Sequence, residues 1–223
     1  YRETGEGRLA VFIHGFPMDH SMWLDQLEGL AHVRRCVAVD LRGFGRSDPV
    51  MEPSLSMEVL ADDVAELIAA LGDDQADVVG LSMGGYVAFA LWELRREMVR
   101  TLTLIDTRAT GETPEGKEKR DRAIERLLES GREAMAADTV KSLLAQSPAA
   151  QVRARLRSMV EGTRYETMVA ALQGMRDRAD RTHLLDTINV PALVIGGEED
   201  QSCPPAQMRA LAVVETEAPS AGD

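Results

Sequence analysis

A doubly wound, mostly parallel α/β sheet carrying an all-helical insertion between two of its strands is the fold class that the 223-residue sequence predicts. Three observations predict it. Short β-branched runs alternate with helical periodicities over residues 1–106; strand signals vanish over 107–182; and a strand signal returns in "INVPALVIGG". Residues 1–106 and 183–223 therefore read as one core, and 107–182 as a helical cap or lid inserted into it.

The strands come first. "LAVFIHG" at 9–15, "RCVAVD" at 35–40, "DVVGLS" at 77–82, "TLTLID" at 101–106 and "PALVIGG" at 191–197 are almost continuously apolar, which predicts strands buried on both faces. Between them, residues 57–71 place Leu60, Val64, Leu67, Ile68 and Leu71 on one helix face, with Ser56 as N-cap and Gly72 as terminator. Weaker helices are expected at 21–31 and 84–96. The insertion holds four charged amphipathic stretches, near 117–130, 132–145, 149–160 and 164–179. Met135, Met159, Met168 and Met175 recur within it, either as core residues of the insertion or as the flexible lining of an apolar pocket.

Composition excludes several function classes. A formal charge of −12 opposes binding to nucleic acid or to an anionic membrane surface. Cys36 and Cys203 are too few for a disulfide framework and lack the spacing of a zinc site, so a reducing, cytoplasmic setting is expected. No apolar run approaches the roughly 20 residues that cross a bilayer. The first residue is Tyr1 rather than Met, which leaves room for a leader removed earlier.

The chemistry concentrates in "DVVGLSMGGYVAFA" at 77–90, where Ser82 sits among glycines at a strand-to-helix junction. Gly80-Leu81-Ser82-Met83-Gly84 has the Gly-x-Ser-x-Gly spacing of a nucleophile elbow, in which small residues let strand and helix approach across a strained turn. Such a turn presents the hydroxyl to a cleft and aims the first helix amides at the same point. The Met83 amide is one candidate oxyanion donor. The second is expected from the loop after the first long strand, where "HGFPMDHSMW" supplies the Phe16 amide, with His14 and Gly15 supporting the loop and Pro17 stiffening it. The competing role for Ser82 is a plain helix cap. His20 and His32 read as surface or helix-end residues, and His183 as part of a connection. Asp200, just past "ALVIGG", stands at a strand's C-terminal end, where ligand sites of open sheets gather; Asp106 after "TLTLI" holds a similar place.

Taken together, "HGFPMDHSMW", "DLRGFGRSD" at 40–48, "GLSMGGYVAFALWE" at 80–93 and "VPALVIGGEEDQSCPP" at 190–205 resemble the α/β-hydrolase superfamily, especially small bacterial esterases and lactonases of the 3-oxoadipate enol-lactonase-like type. The resemblance spans nearly the whole chain. It implies Ser82 as nucleophile, Phe16 and Met83 as oxyanion donors, Asp200 as the acid orienting a base, and structural roles for Asp40, Arg42, Gly43 and Gly45. It implies a small ester or lactone as substrate, with no metal and no organic cofactor. Related chemistry at the same site, carbon–carbon bond hydrolysis or perhydrolysis, stays open.

One part of the pattern is missing. The triad's histidine should follow the acid, yet no histidine follows Asp200, and Asp223 stands where one is expected. A shortened chain, a replaced histidine or a remote histidine would each account for this. "YRETGEG" also resembles the end of the family's second strand, so shortening at both ends is the expectation. A non-catalytic ligand-binding protein built on the same pocket is the reading from another class.

Overall fold

The computed structural model describes residues 1–145, 147–200 and 202–212. Six strands form one sheet: β1 (Arg2–Thr4), β2 (Leu9–Ile13), β3 (Arg35–Val39), β4 (Ala76–Leu81), β5 (Val99–Ile105) and β6 (Ala192–Ile195), in the order β1-β3-β2-β4-β5-β6. β1 runs antiparallel to β3, and every other pairing is parallel. From β2 the chain winds outward to β3, then crosses back to β4 on the other side of β2. The strand order thus reverses between β2 and β4, which opens a crevice at their C-terminal ends.

Helices cover the two faces. α1 (Leu24–Leu30) closes one of them, where Trp23 and Leu27 pack on Ala10, Phe12, Cys36 and Ala38. α2 (Met57–Ala70) lies on the opposite face; the Ser56 hydroxyl accepts the Val59 amide at 3.3 Å, and Leu60, Val64 and Ile68 form its buried stripe. α3 (Met83–Arg95) is buried along its first ten residues, as befits a helix apolar on nearly every side and enclosed by its neighbours. Trp92, at its inner end, spends its indole N–H on the Thr187 hydroxyl at 3.0 Å.

Between β5 and β6 come α4 (Pro114–Leu143), α5 (Ala150–Gly162) and α6 (Tyr165–Arg176). Thr113 caps α4 by accepting the Gly116 amide at 3.0 Å, and Pro114 opens its first turn without losing a bond. At Gly131 the backbone leaves the helix (φ 77°, ψ −179°), so the two stretches predicted at 117–130 and 132–145 are the halves of one kinked helix. Only glycine takes that φ readily. Met159 and Met168 are buried with Leu127, Ala136, Leu156 and Val160 in a cluster that also takes in Met18 of the core, while Met175 joins the main core. These methionines are packing residues.

Both ends of the insertion meet at an ionic knot. The Glu112 carboxylate accepts Arg178 Nη1 at 2.8 Å, Arg120 Nε at 2.7 Å and Arg108 Nη2 at 3.1 Å. Arg178 also donates to the carbonyls of Met175 and Thr110, and its guanidinium lies 4.2 Å from the ring centre of Tyr86 on α3. Burial would raise the Glu112 carboxyl, but the hydrogen bond from Arg178 and the charge of Arg120 outweigh it and hold it at about 2. Arg181 N donates to Ala109 O at 2.8 Å, which ties the two chain segments again.

One expectation fails at β6. Its apolar run predicts burial on both faces, yet Leu193 is 55% and Ile195 44% exposed. Among the described residues β6 pairs only with β5, and α7 (Pro205–Ala212) covers one side through Met208 and Leu211. Apolar patterning reports the strand but not how many neighbours it has. No described helix is long and apolar enough to cross a membrane.

Candidate active site

Ser82 follows β4 directly and takes φ 52°, ψ −110°; it and Asp106 are the non-glycine residues with positive φ among those described. Such a conformation costs on the order of 1–3 kcal/mol and persists only where neighbours fix it. Here they do. Ser82 N donates to Ile105 O at 2.9 Å, and Ser82 O accepts Gly85 N at 2.9 Å, Tyr86 N at 3.2 Å and the Thr107 hydroxyl at 2.8 Å. The serine occupies the N-cap position of α3, but its side chain makes no capping bond, so Oγ is not spent there.

The glycines are steric requirements. A Cβ at Gly80 would strike the Gly84 carbonyl, one at Gly84 the Ile13 carbonyl, and one at Gly85 the Thr107 hydroxyl. Gly84→Ala is therefore expected to destabilise the protein by about 2 kcal/mol or more, since the obstructing atoms are backbone. Thermal unfolding of the variant checks this, and an unchanged melting temperature would contradict it.

The loop after β2 runs alongside the elbow, because Ile13 pairs with Gly80 and a Cβ on Gly15 would meet the Leu81 side chain. His14 is wholly buried. Its Nδ1 lies 2.9 Å from Gly15 O, and its Nε2 accepts the Leu41 amide at 3.1 Å, which fixes the neutral tautomer with the proton on Nδ1. Burial lowers its pKa in the same sense. With both nitrogens engaged, the ring braces the loop against β3 and cannot serve as a base. The Phe16–Pro17 peptide is cis. Among the described residues, neither the Phe16 nor the Met83 amide has a hydrogen-bond acceptor.

Asp106 and Asp200 meet at the ends of β5 and β6. Asp106 N donates to Ile195 O at 3.0 Å and its Oδ1 accepts Gly197 N at 3.0 Å, while Asp200 Oδ1 accepts Ser202 N at 2.6 Å and Cys203 N at 2.9 Å. Burial, then the nearby Asp200, pushes the Asp106 carboxyl up. Ser82 follows β4 and Asp106 follows the neighbouring β5, whose other edge pairs with β6, the strand that precedes Asp200. A cavity of about 1300 Å³ opens beside the two aspartates and is walled on the other side by Val140, Leu144 and Arg153 of the insertion. Ser82, Phe16 and Met83 lie outside its described lining.

Residues 10–213 match the family described as alpha/beta hydrolase fold. The chain belongs to that family. It is 32% identical over 214 residues to the AB hydrolase superfamily protein YisY of Bacillus subtilis, covering 91% of this chain and 78% of that protein. A thermophilic esterase from Thermogutta terrifontis superposes with a TM-score of 0.90 at 39% identity, covering 95% of this chain and 79% of the other. The enol-lactonase from Burkholderia xenovorans gives 0.82 at 29% identity, covering 95% and 82%. The resemblance drawn from the motifs, to an α/β hydrolase of the esterase and lactonase type, therefore holds, and family membership supports hydrolase activity.

In this α/β hydrolase, three site features lie beyond sequence reasoning. His20, expected as a surface or helix-end residue, does open a short helical turn (His20–Trp23), but it is half-buried, and both its amide and its Nδ1 lie 2.8 Å from Asp40 Oδ1. Burial would raise the Asp40 carboxyl, but the amides of His20 and Arg46 and the His20 ring hold it below the usual range. Thr107 locks the elbow carbonyl, and the Thr163 hydroxyl reaches the carbonyl of Pro17. Local pattern carries no signal for partners so distant in the chain. The remaining histidines, His32 and His183, are exposed, and no described hydrogen bond joins any of the four to Ser82 or Asp200.

Proposed function

We propose that this α/β hydrolase is a serine hydrolase that cleaves a small carboxylic ester or lactone through an acyl-Ser82 intermediate. One observation carries the reading: a strained serine whose side chain makes no capping bond follows β4 beside the loop after β2, and among the described residues the Phe16 and Met83 amides have no acceptor. Ser82 Oγ attacks the carbonyl carbon, and the amides of Phe16 and Met83 receive the oxyanion. The tetrahedral intermediate collapses with loss of the alcohol, and water then releases the acid. Turnover needs a base that takes the Ser82 proton, hands it to the departing alcohol and then activates water; Asp200 orients that base, His14 and Gly15 hold the oxyanion loop, and residues 107–182 act as the cap. No cofactor takes part, and the proposed compartment is the cytoplasm, which two unpaired cysteines fit.

The second reading, a ligand-binding protein without turnover, is favoured by the described histidines: His14 and His20 are engaged elsewhere, and His32 and His183 are exposed. A serine without a base is a weak nucleophile at neutral pH. Mass spectrometry after incubation with p-nitrophenyl acetate separates the two. Acetylation of the Ser82 peptide with a burst of nitrophenol is the expected result; saturable binding of esters with no adduct would favour the second reading. A panel of esters, lactones and β-diketones then distinguishes ester cleavage from carbon–carbon bond hydrolysis, and added peroxide tests perhydrolysis.

A further inference from the structure

The helical insertion reaches the oxyanion loop through one buried hydroxyl. Thr163, at the junction of α5 and α6, is 2% exposed, and its Oγ1 lies 3.1 Å from Pro17 O and 2.9 Å from Met159 O. The Pro17 carbonyl belongs to the Pro17–Met18 peptide, two units after the one that carries the Phe16 amide; the Met18 amide of that unit donates to Gly15 O at 2.9 Å, so Phe16 and Pro17 sit within a turn whose closing peptide Thr163 holds. Thr167, four residues on, repeats the arrangement by donating to Gly43 O at 3.1 Å on the neighbouring loop. From the outer half of α4, Arg132 Nη1 grips the same junction, at 3.1 Å from Glu161 O and 3.2 Å from Thr163 O. On the core side, His14 braces the loop through Gly15 O. The oxyanion loop is thus held from two directions, one of them the insertion.

We infer that Thr163 is a positioning residue: by fixing the Pro17 carbonyl it sets the aim of the Phe16 amide, and so couples the insertion to oxyanion stabilisation. The inference rests on the serine hydrolase reading above. It makes the insertion part of the catalytic apparatus as well as a wall of the crevice. Because an oxyanion donor acts on the transition state more than on the bound ester, the effect should fall on kcat.

Thr163→Val removes the donor at nearly equal volume, and Thr163→Ser keeps it. With p-nitrophenyl acetate, Thr163→Val is expected to lower kcat by ~10-fold or more with KM within about 2-fold, and Thr163→Ser to recover most of the loss. In ¹⁵N spectra, the shift of the Phe16 amide on adding a boronic acid should shrink in Thr163→Val and return in Thr163→Ser. An unchanged kcat and an unchanged Phe16 response in Thr163→Val would overturn the inference and leave the serine reading standing. So would a loss that Thr163→Ser does not recover and that follows melting temperature alone. Absence of both turnover and a Ser82 adduct in the unsubstituted chain would remove the serine reading and this inference together.

Discussion

Ser82→Ala is expected to abolish acylation by p-nitrophenyl acetate while leaving the fold unchanged. The magnitude follows from the role: removing the nucleophile ends covalent catalysis and leaves only binding and oxyanion stabilisation. The structural neutrality follows from the geometry. The Ser82 side chain makes no capping bond, and the bonds that hold the elbow use its amide and carbonyl, which alanine retains. Alanine at φ 52° bears the same backbone strain that serine already bears. Melting temperature should therefore move by less than about 2 °C. Steady-state rates with p-nitrophenyl acetate, set beside a thermal melt, test both halves, and comparable turnover by both proteins would refute the acyl-Ser82 route.

The second large effect is on stability. Glu112→Gln keeps the shape of the side chain but leaves Arg178, whose side chain is 2% exposed, without its counter-charge. Breaking a buried ion pair from one side costs about 3–5 kcal/mol, which for a chain of this size is about 10 °C in melting temperature. The pH dependence has a definite sign. The Glu112 carboxyl titrates near 4.5 when unfolded and at about 2 in the fold, so its contribution is complete above pH 4.5 and is lost as pH falls toward 2. The gap between the two proteins should be widest near neutrality and narrow on acidification. A gap constant from pH 7 down to pH 3 would assign the loss to packing instead.

Much of this was legible before any coordinates. Five strands announce themselves as β-branched runs, although at β6 the run does not carry burial with it, and the elbow announces itself because only glycine fits at positions 80, 84 and 85. Gly131 is readable too, as the gap between two helical periodicities. What stayed hidden depends on contacts between distant parts of the chain. Glu112 and Arg178 are 66 residues apart, Thr163 and Pro17 are 146 apart, and neither pair leaves a local trace. His20 reads as a surface or helix-end residue, and its pairing with Asp40 is invisible because nothing near it in sequence identifies that partner. Asp106 and Asp200 are rivals for one role in the sequence; in the fold they are neighbours, and burial makes Asp106 harder to ionise than an ordinary aspartate.

The kink at Gly131 splits the labour of α4. Its first half is anchored through Arg120 to the Glu112 knot, whereas its second half supplies Ala137, Val140 and Lys141 to the cavity wall. Changes of side-chain size beyond the kink would thus reshape that wall at a distance from the elbow and from the knot. Within residues 132–145, Ala137, Val140 and Lys141 are therefore the positions at which the wall can be reshaped while Arg132 and Ala136 keep the segment attached to its neighbours.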